Sequence, residues 1–349
     1  MELKKRNGEI DVLRFVFSIF IVLYHFGDVF KVDIARFGFI GVEFFFVVSG
    51  VLMARTAKLK KEKYVTFISK KIKSFYPYYF LAIVIQILRL IFLKSWTFAN
   101  FISTIWRWLA TFTLTFMAFP EAYKVAPGGT WYLSVMILSM CVLYPLLKWA
   151  YKVFSKIVFP IISLGIFAYL YFKYGSISLV FQWTGFCMAA LLRGVAELCL
   201  GAFLFDFIEK VTGKFENNIA LTIVKVLLIV YIALYAFNLG PLPKNNILAA
   251  GAVFALTFLS FSSVGYTIAG SKSTVFLGKI SLPIYIFHAI FRWVLFDIFG
   301  LGISLGIFVL LIVGTILLSI ALMYLIDFWR KKWNSFISGL KRQKKETDS

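Results

Sequence analysis

The chain has 349 residues, of which 61% are hydrophobic, and its mean hydropathy is +0.88. This composition excludes a soluble globular protein and indicates an all-α, polytopic membrane protein. The net charge of +21 would favour nucleic-acid binding in a soluble chain, but here the positions of the charges decide. Because Cys141, Cys187 and Cys199 lie in apolar runs without metal-ligand spacing, we expect no disulfide, no thiol nucleophile and no bound metal.

The first predicted helix combines an apolar run with polar side chains at helical intervals. Asp11, Arg14, Ser18 and His25 are separated by 3, 4 and 7 residues, which places all of them on one face. That face must turn toward the protein interior or a wet cavity, since the other side chains suit lipid or packing. Arg14 and His25 are roughly 16 Å apart along the axis. Because the run is long, charged and without a small-residue cleavage site, we expect it to be retained rather than cleaved as a signal peptide.

The second apolar run contains Glu43. If the chain turns between Gly27 and Gly38, His25 and Glu43 lie at a similar depth in the membrane. A carboxylate beside an imidazole fixes its tautomer and raises its basicity, as in many general bases. The alternative is a structural hydrogen-bonded pair that joins two helices. We favour the functional interpretation, because buried ionisable groups in membranes usually serve function.

The excess positive charge is concentrated in a few places. Between residues 55 and 73 there is one acid, Glu62, against eight cations: Arg55, Lys58, Lys60, Lys61, Lys63, Lys70, Lys71 and Lys73. The tail from Arg330 to Lys345 and the first six residues are also basic. By the positive-inside rule all three regions are cytoplasmic. The charge is therefore a topology signal, with some attraction to lipid head groups, and we expect no nucleic-acid partner.

Eleven apolar runs are candidate membrane spans. Two form the hairpin within residues 10–54, and the others lie near 75–95, 98–119, 131–148, 157–174, 187–208, 217–237, 246–266, 275–297 and 303–327. An odd number of spans would put the basic tail outside, so one run should not cross. The weakest is 98–119, which contains the interface-like group Trp106-Arg107-Trp108 and leads into helix breakers.

We therefore predict ten spans with both termini cytoplasmic. Residues 96–130 are expected at the outer face, lying on the membrane or re-entering it. The predicted membrane domain covers residues 1–335, and residues 336–349 are expected to form a basic, disordered cytoplasmic tail.

Three motifs follow one another along the chain at characteristic separations. The first is Arg14, ten residues, then His25. The second consists of Gly41, Val42, Glu43, Phe45, Phe46, Ser49 and Gly50, and the third of Gly278, Ser281, Tyr285 and His288. Together they resemble the acyltransferase 3 family of membrane O-acyltransferases, whose ten-span architecture also matches the predicted topology. The resemblance covers nearly the whole chain.

The resemblance implies transfer of an acyl group, expected to be acetyl, from cytoplasmic acetyl-CoA to a hydroxyl of a cell-envelope polysaccharide or lipid-linked glycan. It also implies a bacterial-type cell membrane as the location. Such an enzyme needs cations for the donor phosphates and a base for the acceptor. The predicted base is His25 with Glu43, and the predicted donor site consists of Arg14, Lys70, Lys71 and Lys73. His25 either deprotonates the acceptor or carries the acyl group, and the sequence leaves both routes open.

Five more residues are candidates for substrate contact or structural support: Ser49, Trp131, Ser134, Tyr285 and His288. For His288, which lies mid-helix in a neutral stretch, we favour a structural role.

Two positions depart from the family pattern. Many members have Arg-x-x-Arg before a Tyr-Pro pair, whereas this chain has Lys71 and Ser74 there, and lysine lacks the bidentate fork of arginine. Many members also have Trp-x-x-Ser-x-Glu after the outer segment, whereas this chain has Met136 in place of the acid.

Two other classes of function fit the same residues. A transporter or flippase would also place Arg, Glu and His inside the membrane, but repeated halves and paired broken helices are not apparent. A catalytically silent scaffold of a polysaccharide-export machine is the third alternative, consistent with the two departures.

Overall fold

The computed structural model describes residues 7–93, 98–240, 245–293, 296 and 304–347. Within these residues the chain forms α-helices and no β-strand, which confirms the predicted all-α fold. The helices are α1 (Gly8–Phe30), α2 (Ile40–Arg55), α3 (Tyr64–Phe92), α4 (Phe98–Phe112), α5 (Trp131–Val153), α6 (Phe159–Tyr174), α7 (Ala189–Val211), α8 (Ile219–Ala236), α9 (Asn246–Phe261), α10 (Lys272–Trp293) and α11 (Leu305–Thr347).

Glycines allow the central helices to approach one another closely. A Cβ atom on Gly50 of α2 would overlap the backbone of α7, and one on Gly201 of α7 would overlap the backbone of α2. In the same way, a Cβ on Gly278 of α10 would overlap the carboxylate of Asp11 on α1. Small residues at helix crossings are a common source of packing energy in membranes. The pairs α2–α7 and α1–α10 therefore form the core of the bundle.

Among the described residues, seven helical stretches are long and apolar enough to cross a membrane. One of them, Trp131–Tyr174, contains both α5 and α6, and α9 is shorter, at 16 residues. Helix α7 has 23 residues but includes several charged side chains, so it is not among the seven. The chain is thus a multi-pass membrane protein, and ten spans remain a prediction.

The chain reverses direction between α5 and α6. Ala150 has non-helical dihedral angles (φ −140°, ψ 70°), and residues Phe154–Val158 form a π-helical turn. Trp131, at the start of α5, lies near Arg193 of α7, and Ser155 hydrogen-bonds Asp206 of the same helix. After α6 the chain returns to Arg193, which donates a hydrogen bond to the carbonyl of Ser178. Helices α5 and α6 thus pack along α7 in opposite directions.

A buried polar network connects α1 with α8 and α9. Lys225 of α8 donates to Glu9 at 2.8 Å and to the carbonyls of Val264 and Tyr266. Ser260 donates to the other carboxylate oxygen of Glu9 at 2.6 Å. Both ionised side chains are at least 93% buried. Because each buried charge has hydrogen-bond partners, the network is a structural connection rather than a ligand site.

The segment after α4 enters the bundle. Phe116, Met117 and Ala122 are at most 1% exposed, and Tyr79 of α3 donates a hydrogen bond to the carbonyl of Thr111. Helix α4 has 15 residues, about 22 Å, which is shorter than a bilayer core. The segment after α4 therefore packs against the bundle, while the outer-face location of residues 96–130 stays a prediction; residues 96 and 97 lie outside the described part.

The end of the chain differs from its prediction. Residues 336–349 were expected to be disordered, but α11 continues as a helix to Thr347. The tail is rich in Lys, Arg and Gln, which are good helix formers. Extending an existing helix also avoids the cost of nucleation, and this explains the difference.

Candidate active site

A cavity of about 530 Å³ lies between α1, α2, α3, α5, α10 and α11. Its polar lining residues are Arg14, Ser49, Lys71, Ser74, Tyr78, Tyr132, Lys279, Ser281, Tyr285, Asp327 and Arg330. We call it the central cavity. It brings together four of the residues predicted from the sequence, namely Arg14, Lys71, Ser49 and Tyr285.

One end of the central cavity is cationic. Arg14, Lys71, Lys279 and Arg330 line it, and Asp327 is the one acid among the described lining residues. These side chains come from the first third of α1 and of α3, the first half of α10 and the middle of α11, just after its apolar part. The predicted topology places these positions toward the cytoplasm. A group of guanidinium and ammonium groups is suited to phosphate.

Arg330 is not among the site residues predicted from the sequence. Its Nη2 donates to the carbonyls of Lys73 and Ser74, both at 3.1 Å. It therefore provides a guanidinium beside Ser74, the position where many family members have their second arginine. The sequence does show Asp327 and Arg330 one helical turn apart at the end of the last apolar run. It does not show that Arg330 contacts Ser74, because the two residues are far apart in the sequence.

The three predicted lysines of α3 have different environments. Lys71 lines the central cavity, whereas Lys70 forms an ion pair with Glu62 at 2.8 Å. Lys73 is exposed, does not line the central cavity, and supplies its backbone carbonyl to Arg330. Helical geometry explains this, because consecutive residues point in directions about 100° apart.

The other end of the central cavity contains a hydroxyl pair. Tyr132 donates to the carbonyl of Phe45 at 3.1 Å, so it accepts from Ser49 Oγ, which lies 3.0 Å from the phenol oxygen. Met136 lines the same region with its sulfur 3.6 Å from Ser49 Oγ. The position that departs from the family pattern therefore faces the cavity. Tyr132 was not among the predicted residues, and no motif in the sequence indicates it.

His25 and His288 form a stacked pair beside this end. Their ring centroids are 5.0 Å apart with an interplanar angle of 25°, and the Tyr285 ring lies 6.2 Å from that of His288. His288 Nδ1 lies 2.7 Å from the carbonyl of Tyr285, so Nδ1 carries the hydrogen and Nε2 is left as an acceptor. His288 is 1% exposed, whereas His25 is partly exposed. Of the two, His25 is the more exposed, and neither histidine is among the described residues that line the central cavity.

A glycine turn closes over the pair. Gly129 has φ +78°, and its carbonyl accepts a hydrogen bond from the Tyr285 hydroxyl. A Cβ atom at this position would lie 3.0 Å from His288 Cε1. The position therefore requires glycine both for its left-handed backbone and for the space beside the imidazole.

The predicted pairing of Glu43 with His25 is wrong. Glu43 Oε1 lies 2.7 Å from Arg193 Nη2 and accepts from Ser178 Oγ at 2.9 Å, while its Oε2 has no hydrogen-bond partner. The physical reason is the guanidinium on α7, which attracts the carboxylate more strongly than a neutral ring does. His25 instead contacts aromatic rings, those of Tyr24 and His288.

Arg193 is shared by two acids. Its Nε donates to Glu197 at 2.9 Å, and all three side chains of this cluster are at most 3% exposed. The guanidinium also lies 5.6 Å from the centroid of the Trp131 ring. An arginine and a glutamate four residues apart inside an apolar run were visible in the sequence, but their link to Glu43 required the fold.

Ser134 has structural contacts. Its Oγ donates to the carbonyl of Leu114 at 2.6 Å and accepts from the amide of Met117 at 3.2 Å. It therefore fixes the segment after α4 to α5.

Comparison with known proteins identifies the family of the chain. No curated protein and no solved structure matches the chain significantly. The family model Acyl_transf_3, described as an acyltransferase domain, matches residues 7–324, which include every residue of the histidine pair and of the hydroxyl pair. The chain therefore belongs to the acyltransferase 3 family and is a membrane acyltransferase.

Proposed function

We propose that the protein is an O-acetyltransferase that moves acetyl from cytoplasmic acetyl-CoA to a hydroxyl of a cell-envelope polysaccharide or lipid-linked glycan, in a bacterial-type cell membrane. The observation that supports this proposal is the central cavity, which has Arg14, Lys71 and Arg330 at one end and Tyr285 beside the histidine pair at the other. Phosphates fit the first end and a reacting thioester fits the second.

The residues are suited to direct transfer. In the proposed reaction the acceptor oxygen forms a bond with the thioester carbonyl carbon and the carbon–sulfur bond breaks. His25 takes the hydroxyl proton and returns it to the departing thiolate of CoA. His288 is a positioning residue, because its Nδ1–H is held by the Tyr285 carbonyl and its ring stacks on His25.

The same geometry permits a covalent route, in which the acetyl group is first attached to His25. The two routes differ before any acceptor is added. The protein is mixed with labelled acetyl-CoA and no acceptor. Direct transfer predicts that no CoA is released. The covalent route predicts one CoA released per active site and a hydroxylamine-sensitive label on the protein.

Purified protein in lipid, assayed for acetyl-ester formation from labelled acetyl-CoA, tests the proposal. His25→Ala should abolish transfer while insertion is preserved, since an apolar helix remains. Retention of more than about a tenth of the wild-type rate, a barrier change below about 1.4 kcal/mol, would remove His25 from the mechanism.

A further inference from the structure

The turn between α5 and α6 has a regular alternation of charged and apolar residues. Lys148, Lys152 and Lys156 are exposed and four residues apart. Each is followed directly by an exposed apolar side chain: Trp149 (81% exposed), Val153 (49%) and Ile157 (57%). In a membrane protein, exposed apolar residues face lipid, and lysines beside them lie at the level of the head groups.

The lysines surround a second cavity of about 330 Å³. Its lining residues are Ala57, Lys58, Lys61, Leu147, Lys148, Tyr151, Lys152, Lys156 and Asp206, and we call it the lysine pocket. It shares no lining residue with the central cavity. The lysine pocket is therefore separate from the proposed donor site.

Most of the positive charge in the lysine pocket is not neutralised. Asp206 and Glu209 both form ion pairs with Lys58. Among the described contacts, Lys148 donates to the carbonyl of Lys61, and no ion pair involves Lys61, Lys148, Lys152 or Lys156. These four ammonium groups thus form a local excess of positive charge at one cavity.

The backbone that holds these lysines is fixed by buried contacts. Asp206, which is 5% exposed, accepts from Ser155 Oγ at 2.9 Å and from the hydroxyl of Tyr151 at 3.4 Å. Both donors belong to the turn that presents the lysines. A fixed arrangement of charges lowers the ordering cost of binding, which distinguishes a built site from scattered topology signals.

We propose that the lysine pocket binds the phosphate head group of an anionic phospholipid from the cytoplasmic leaflet. The lysines contact the phosphate, and the acyl chains lie along Trp149, Val153 and Ile157. A free phosphate or nucleotide would account for the charges but would leave the row of apolar side chains unused. The positive-inside rule accounts for lysines at this face but not for their enclosure around a cavity.

Lipid binding to the full chain in detergent, followed by native mass spectrometry, tests the proposal. The probes are dioleoylphosphatidylglycerol and, for comparison, dioleoylphosphatidylcholine. We expect one tightly bound phosphatidylglycerol that the triple variant Lys148→Gln, Lys152→Gln, Lys156→Gln loses. With about a fivefold effect for each lysine near an anionic lipid, the affinity should fall on the order of a hundredfold.

The matched control is Lys210→Gln, Lys214→Gln, Lys272→Gln, which removes the same charge from exposed lysines outside the pocket. It should retain the bound lipid. Equal lipid retention by the two triple variants would overturn the proposal. Should the first triple variant fail to fold, the wild-type protein decides the question, since binding at the pocket must weaken with added salt whereas an uncharged annular contact does not.

Two further measurements identify the source of the phosphate. Trp149→Ser, Val153→Ser, Ile157→Ser should weaken phosphatidylglycerol binding, because the contact with the acyl chains is lost. Displacement of the lipid by millimolar inorganic phosphate or by acetyl-CoA would instead show that the pocket binds a soluble anion, and that result would refute a lipid site.

Discussion

Gly129 provides a direct test of the histidine pair at the residue scale. Gly129→Ala places a Cβ atom 3.0 Å from His288 Cε1, so the imidazole must shift by a few tenths of an ångström. Small displacements of reacting groups have large kinetic effects, and we expect kcat to fall about tenfold or more. Steady-state acetyl transfer by the variant in lipid measures this.

A matched control separates displacement from backbone strain. Gly175 has φ +72°, close to the +78° of Gly129, but no atom lies within 4 Å of its added Cβ. Gly175→Ala should therefore cost about 1–2 kcal/mol in stability from the left-handed backbone and leave kcat unchanged. Equal kinetic effects of the two variants would show that strain, and not contact with His288, is responsible.

Lys71 and Lys70 distinguish donor binding from topology. Lys71 lines the central cavity, whereas its neighbour is paired with Glu62. We expect Lys71→Gln to raise the KM for acetyl-CoA about fivefold or more. The reason is that a charged hydrogen bond to phosphate contributes about 1 kcal/mol or more to the binding free energy. Lys70→Gln should leave this KM near the wild-type value. The inverse result would place the donor phosphates outside the central cavity.

Glu43→Gln tests what remains of the predicted base. Because Glu43 contacts Arg193 and not His25, the pH–rate profile should keep its wild-type shape. Turnover should nevertheless fall, because Arg193 also packs on Trp131, next to Tyr132 of the cavity. Glu43 is thus a positioning residue in our proposal, and a shifted profile would restore the original pairing with the imidazole.

At the level of single residues, helical periodicity was sufficient where partners lie on one helix. Arg14 and His25 lie on one inward face of α1, as their spacing predicts: Arg14 lines the central cavity and His25 stacks on His288. Periodicity does not report contacts between distant helices. For that reason Arg193, Glu197, Tyr132 and Arg330 were missed, and Glu43 was given the wrong partner.

At the scale of elements, α7 is held against α2 by one guanidinium between two carboxylates. Arg193→Gln leaves both acids buried without a counter-charge, so we expect a loss of about 3–5 kcal/mol in stability. Glu197→Gln leaves a neutral Glu43–Arg193 pair and should cost clearly less. Thermal unfolding of the two variants in the same detergent compares them. A larger loss of stability for Glu197→Gln than for Arg193→Gln would contradict the argument that unpaired buried charge determines the cost.

Element boundaries were predicted best where the apolar runs are continuous. Breakers between 120 and 130 indicate a departure from a regular span, and the structure buries Phe116 and Met117 just before them. The separation of α5 from α6 also matched, and it arises from a kink at Ala150 and a π-helical turn that is followed by Pro160 in the first turn of α6. The helical tail was not predicted, because the basic composition of the segment indicated disorder and did not show that the segment extends the helix before it.

At the scale of the whole molecule, the remaining prediction is topology. Lys124 is exposed in the segment after α4, which the predicted parity of spans places toward the outside. In a background without Cys141, Cys187 and Cys199, Lys124→Cys should react with an impermeant maleimide added to intact cells. Lys214→Cys, exposed after α7, should react only after the membrane is opened. Labelling of position 124 from the cytoplasmic side alone would exclude ten spans with both termini inside.

The ion pair of Glu9 with Lys225 has a consequence for biogenesis. The two residues are 216 positions apart, so Glu9 enters the membrane long before its partner is synthesised. Until α8 emerges, α1 must keep this carboxylate near the aqueous boundary or in contact with the insertion machinery. The first helix is therefore expected to reach its final depth late, after more than half of the chain has been translated. The position of α1 would then be fixed only after α8 has been synthesised. A chain truncated before α8 should leave α1 loosely inserted.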